Sequence, residues 1–131
     1  SEAFLICNSK QAKKIIHAKE LAQQGIKVVA AFDPSPNLEP YEIDAIKVLS
    51  ADRIDSLSDR MHIQFMIIAT EKEQAQHAAN IAANAGAKAI INMSGVELVF
   101  PDGIAGINTN GIEKLEEDIA KIQALMASNT R

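Results

Sequence analysis

The stretch Ala3-Phe4-Leu5-Ile6-Cys7-Asn8-Ser9-Lys10-Gln11-Ala12 decides the fold. Its apolar run is too short for a helix and is followed at once by Asn8 and Ser9, whose short polar side chains suit helix caps. The segment therefore reads as a buried strand, Ala3 to Cys7, feeding a helix. A strand apolar on both faces belongs in a sheet covered on both sides. From Lys10 to Gln24 the apolar positions Ala12, Ile15, Ile16, Ala18, Leu21 and Ala22 recur at helical spacing, and Gly25 stops the run.

The same alternation continues along the chain. Lys27 to Phe32 reads as a second buried strand, ended by the turn-rich Asp33 to Pro40. Tyr41 to Val48 contains a short Ile46-Lys47-Val48 strand, and Ser50 to Arg60 a short polar helix with Ile54 and Leu57 on one side. Phe65 to Ala69 is the most apolar run. Thr70 starts a helix carrying Ala75, Ala78, Ala79, Ile81, Ala82 and Ala83, which Gly86 closes. Ala89 to Asn92 is the next strand, with Val96 to Phe100 beside it and a Pro101-Asp102-Gly103 turn after it. A last helix, Gly111 to Ser128, sets Ile112, Leu115, Ile119, Ile122, Leu125 and Met126 on one stripe, with Glu116, Glu117, Asp118 and Lys121 opposite. Apolar strands alternating with helices predict an α/β, three-layer α/β/α fold: a doubly wound parallel sheet, Rossmann-like, forming a single domain over residues 1–131.

Composition narrows the function. Of 131 residues 47% are hydrophobic and 23% charged, which suits one globular core. The formal charge of -4 gives no basic footprint, so direct nucleic-acid binding is not expected. No apolar run approaches the roughly 20 residues that span a bilayer, and no secretory layout opens the chain. A cytoplasmic protein follows, and the lone Cys7 fits a reducing compartment.

In such folds ligands bind at the carboxyl ends of the strands, where the winding direction reverses. The first turn normally carries glycines that let a pyrophosphate reach the helix N-terminus. Here Cys7 and Ser9 replace the first two glycines and Ala12 stands for the third. The side chain of Ser9 displaces ordinary dinucleotide docking; alternatively Ser9, Lys10 and the free N–H groups hold a smaller anion, or the turn is only a capped helix start. Asp33, ending the second strand, is placed either to accept a ribose diol or to initiate its turn. Cys7 is either a buried small hydrophobe or a redox-sensitive thiol at a helix start. His17, His62 and His77 lack ligand spacing, so no metal site is expected, and no nucleophile elbow points to covalent catalysis.

Val28-Val29-Ala30-Ala31-Phe32-Asp33, Ala85-Gly86-Ala87-Lys88-Ala89-Ile90-Ile91-Asn92 and Val96-Glu97-Leu98-Val99-Phe100-Pro101-Asp102-Gly103 together resemble the Rex-type repressors that sense the NADH to NAD balance. The resemblance covers most of the chain but not the winged-helix DNA-binding half, which would precede Ser1. It implies NAD(H) as ligand. Asp33 would meet the adenosine ribose, the Ala69-Thr70-Glu71 turn would lie along the dinucleotide, and Asn92 with Met93 would approach the nicotinamide end; Asn8, Ser9, Lys10 and Gln11, in the turn after the first strand, are the fold's own further candidates for binding the cofactor. It also implies a homodimer exchanging the C-terminal helix. The expected function is non-catalytic nucleotide binding or sensing. The alternatives are a CoA-binding subunit of an acyl-CoA ligase-type enzyme and a degenerate Rossmann domain serving as an oligomerisation module.

Overall fold

The computed structural model describes residues 1–8, 10–109 and 111–129, with the backbone alone for Asn129. Among these, one sheet contains β1 (Glu2–Cys7), β2 (Lys27–Asp33), β3 (Tyr41–Ile43), β4 (Ile46–Ser50), β5 (Phe65–Ala69), β6 (Ala89–Asn92) and β7 (Ala105–Asn108). The helices are α1 (Ala12–Ile16), α2 (Lys19–Gln23), α3 (Ile54–Met61), α4 (Ala75–Asn84) and α5 (Leu115–Asn129). The strand order is β3-β4-β2-β1-β5-β6-β7, and every pairing but β3 with β4 is parallel. Without the edge strand β3 this is the doubly wound order of dinucleotide-binding sheets, reversing between β1 and β5.

Burial explains the order. Ala3 to Cys7 are each 0% exposed, so β1 must lie at the centre with partners on both edges and a layer on each face. On one face Ala3, Leu5 and Cys7 join Ile67 and Ile91 beneath α1, α2 and α5. On the other, Phe4, Ile6, Phe32, Met66 and Ile68 lie beneath α3 and α4. Three alanines of α4, Ala75, Ala78 and Ala82, are fully buried, which lets that helix sit close on the strands. The helix stops foreseen at Gly25 and Gly86 both adopt positive φ, 73° and 90°.

Several elements differ from the expectations. The helix expected over Lys10 to Gln24 is two five-residue helices, because Ala18 turns extended at φ -67°, ψ 119°. Ala12, Ile15, Ala18 and Leu21 are all buried, and a strict three-residue spacing drifts by about 60° per step around a continuous helix. Breaking the helix brings both halves back onto the sheet. Tyr41 to Val48 holds two strands rather than one, joined at Asp44 and Ala45, which both take positive φ (46° and 71°) as a two-residue hairpin turn demands. His17 Nε2 and Lys13 Nζ reach Asp44 Oδ2 at 2.7 and 3.7 Å and tie that turn to α1. The hydrogen bond from His17 is the main cause that holds the Asp44 carboxyl below its usual range.

Val96 to Phe100, expected near β6, is not a strand: Val96 O accepts from Asn92 at the end of β6, while Leu98 and Phe100 lie against Asn108 and Gly106 of β7. The strand next to β6 is β7, in register from Ala89–Ala105 to Asn92–Asn108. Phe100 folds its ring onto Gly106, where an added Cβ would lie 2.2 Å from the ring. The helix expected from Thr70 begins later, with a 3-10 turn at Lys72–Gln74 before α4. The last helix likewise starts with a 3-10 turn, at Ile112–Lys114. Asp118, assigned to its solvated side, is 5% exposed, and its Oδ2 has no hydrogen-bond partner among the described residues. It lies one turn on from Leu115, on the face that α5 turns inward, whereas Leu125 of the expected apolar stripe is 41% exposed.

Ala45 sits in a left-handed conformation that disfavours any side chain. Ala45→Gly is expected to raise stability by about 0.5–1 kcal/mol in urea unfolding, the gain net of glycine's greater freedom in the unfolded chain.

Candidate functional site

The parallel strands all end on one edge of the sheet, at Ser50, Asp33, Cys7, Ala69, Asn92 and Asn108. At the winding reversal, the loops after β1, β5, β6 and β7 enclose a cavity of about 470 Å³. Gln11, Lys14, Lys72, Met93, Ser94, Thr109 and Glu113 contribute to its wall. The stem of Lys72 crosses to the β6 loop, its Cε 3.6 Å from where a Cβ on Gly95 would stand. Two lysines against one glutamate favour an anionic occupant. A larger open hollow, about 700 Å³, runs along α3 and the α4–β6 turn; Asp52, Asp55 and Asp59 in its wall would repel a phosphate.

The candidate residues fall into separate groups. Gln11 and Met93 line the cavity, and Lys10 is exposed at the first turn. Ser9 lies outside the described residues. Asn8 does not cap its own helix: the residue before α1 is Gln11, which makes no side-chain cap. Asn8 instead reaches over the reversal point. Its Oδ1 accepts the Glu71 N–H at 2.8 Å and its Nδ2 donates to Gln74 Oε1. A donor left unpaired at the start of the Lys72–Gln74 turn is thereby satisfied, which binds the β1 and β5 loops together. Thr70, 3% exposed, donates its hydroxyl to the Glu71 carbonyl at 3.0 Å.

Asn92 is 1% exposed and fully engaged by its neighbours. Its Nδ2 donates to Val96 O at 2.6 Å and to Asn108 Oδ1 at 2.7 Å, while its Oδ1 accepts from Ser94 N and Oγ at 3.0 and 2.7 Å. Asn108 continues the chain of bonds, pairing with Leu98 N–H and C=O at 3.0 and 3.1 Å as a strand backbone would. These two amides shape the loop that carries Met93, Ser94 and Gly95 to the cavity. Lys14, Thr109 and Glu113 were not singled out for this site in the sequence, and Lys72 only as the last residue of the Ala69 to Lys72 strand end. They come from three separate helix entries, and only the strand order brings them together.

On the other side of the first turn, Asp33 is 6% exposed. Its Oδ1 accepts the Ser35 N–H at 2.9 Å, the bond of a turn-initiating aspartate, and its Oδ2 accepts the Tyr41 hydroxyl at 3.0 Å. Burial, aided by the charge of Asp33, pushes the Cys7 thiol from its ordinary 9.0 up to about 12. Burial and the bond to Asp33 also raise the Tyr41 phenol above its ordinary 10.0. At neutral pH the thiol stays protonated, which favours the small-hydrophobe reading of Cys7 over the reactive one.

The family model described as the CoA binding domain matches residues 3–96. The chain is 27% identical over 114 residues to the redox-sensing transcriptional repressor Rex of Clostridium beijerinckii, covering 87% of this chain and 54% of that protein. It thus spans about half the length of that curated relative. Among solved structures it is similar to RSP, a Rex-family repressor, with TM-score 0.73, 21% identity, and coverage of 98% of this chain and 60% of that one. It is also similar to RSP in complex with β-NADH, with TM-score 0.72, 21% identity, and coverage of 98% and 63%. These likenesses establish the Rossmann-like fold.

Cys7 should resist alkylation in the folded protein at pH 8 and react once denatured. Its folded pKa lies above the unfolded one, so its contribution to stability is intact below about pH 9 and is lost as pH rises toward about 12. Denaturant midpoints taken between these limits check the fall. Asn92→Ala strands the Val96 carbonyl and the Ser94 N–H; we expect a loss of about 2–3 kcal/mol by urea titration.

Proposed function

The chain belongs to the CoA binding domain family, and we propose that within it this domain binds NAD(H) without catalysis, as the sensing part of a redox-responsive regulator. The observation that carries the reading is the lysine-bearing cavity at the winding reversal, with an aspartate ending β2, the strand next to β1 on the other side of the first turn. A dinucleotide needs such a split site: a carboxylate for its adenosine ribose, positive charge for its pyrophosphate, and a separate cavity for its second base. The relative from Clostridium beijerinckii is named a redox-sensing repressor, and RSP is described in complex with β-NADH. Both names favour NAD(H) over CoA.

In this reading Asp33 receives the ribose, Lys10 and Gln11 lie along the phosphates with Lys14 and Lys72 supplying charge, and Met93 borders the nicotinamide. Asn8, Thr70 and Asn92 position the loops rather than touch the ligand. Sensing requires that NADH and NAD+ differ in affinity for two arrangements of the domain, since a ligand that binds both equally shifts nothing. The element suited to report the change is α5. It follows Thr109, Gly111, Ile112 and Glu113 of the cavity wall, and it presents the exposed Leu125 and half-buried Met126 to a second copy of the chain. A formal charge of -4 leaves DNA contact to another part of a regulator.

NADH at 100 times its Kd should stabilise the fold by about 2.7 kcal/mol, raising Tm by roughly 10 °C for a chain of this size. Asp33→Ala, compared with its own unliganded midpoint, should lose most of that shift. A shift with CoA and none with NADH would end the dinucleotide reading.

A further inference from the structure

The acceptor expected to read a ribose is not vacant in this fold. Asp33 Oδ2 already accepts the Tyr41 hydroxyl at 3.0 Å, and Oδ1 holds the Ser35 N–H at 2.9 Å. Tyr41 stands at the start of the edge strand β3, whose register with β4 places it opposite Val48. The residue is 40% exposed, yet its hydroxyl lies on a carboxylate whose residue is only 6% exposed. The ring therefore covers the end of β2 from the solvent side with a donor pointing inward. A ribose hydroxyl arriving at Asp33 would come as the same kind of group, an O–H donor on a carbon scaffold.

We propose that Tyr41 is an affinity- and specificity-determining residue that competes with the ligand's ribose diol for Asp33. This rests on the nucleotide reading of the crevice. With the phenol in place Asp33 Oδ2 is occupied, and only the fraction of molecules in which Tyr41 has swung off the carboxylate can accept the diol there. The apparent dissociation constant is raised by that fraction. The edge position gives the ring room to leave, because β3 pairs with β4 alone and the aromatic ring already borders solvent. A ligand that lacks ribose hydroxyls does not compete for the carboxylate, so the device lowers affinity for intact ribose alone and narrows the preference for it over a deoxygenated sugar.

The test is calorimetric titration of the full chain and of Tyr41→Phe and Tyr41→Ala with NADH, with ADP and with 2′,3′-dideoxy-ADP. Phe keeps the ring and its packing, so it isolates the hydroxyl; Ala removes the cover as well. Loss of a hydrogen bond to a carboxylate predicts that Tyr41→Phe binds NADH and ADP about tenfold more tightly. Tyr41→Ala should bind them at least as tightly as Phe, and the dideoxy nucleotide should be unaffected by Tyr41→Phe. Equal binding of NADH and ADP by the parent and Tyr41→Phe overturns the proposal and leaves the dinucleotide reading standing, as does a gain of the same size for the dideoxy nucleotide. A gain on ADP to which the nicotinamide half adds nothing supports the competition at Asp33 and removes the redox reading. No binding of any of the three by any of the proteins overturns both.

Discussion

The structure depends on one constraint: the central strand β1 has no solvent on either face. With Ala3 to Cys7 wholly enclosed, each backbone N–H and C=O of that strand must find its partner in β2 or β5, since no water reaches it. Both neighbours run parallel to it, so the chain has to cross the sheet on leaving β1, through α1 and α2 to β2, and again through α3 before β5, each time returning to the same starting edge. All the parallel strands therefore finish on one side of the molecule. The crevice, the lysines beside it and Asp33 are consequences of this arrangement, because a loop that leaves a buried strand is the first place where polar side chains can sit.

That constraint was legible in the sequence because it is written in contiguous residues. The enclosed strands of Ala3 to Cys7, Lys27 to Phe32, Phe65 to Ala69 and Ala89 to Asn92 are apolar runs, and the helices before the second and the last of them end at glycines whose φ is positive in the structure, Gly25 and Gly86. Elements held by something other than their own pattern were not legible. β7 reads Ala105-Gly106-Ile107-Asn108, with a glycine chosen to receive the Phe100 ring and an asparagine chosen for its amide, so neither residue signals a strand. β3 is held by a two-residue turn without the usual glycine. Asp118 was read as surface because of its charge, although its position on α5 turns it inward.

The site was legible in part and for the same reason. Asp33, Gln11 and Met93 sit at strand or helix ends that the sequence marks, whereas Lys14, Lys72 and Glu113 become neighbours only after three crossovers have been placed. Residue types alone also do not say what a polar side chain has already spent its bonds on. Asn8 and Asn92 look available in the sequence, but one joins two loops and the other is encircled by its own turn. With the first-turn glycines replaced, Asn8 supplies a cross-link at the place where other sheets of this order leave bare backbone.

The break at Ala18 has a consequence for how the domain opens. Two helices of five residues are far below the length at which helix formation sustains itself, so each persists only while Ile15 or Leu21 is pressed onto the sheet. This wall of the crevice forms a low-stability unit of its own, able to exchange its amide hydrogens while the strands beneath remain closed until global unfolding. Gln11 and Lys14 ride on that unit, so anything seated against them converts local looseness into protection, and occupancy becomes readable as a slowing of exchange confined to the first two helices.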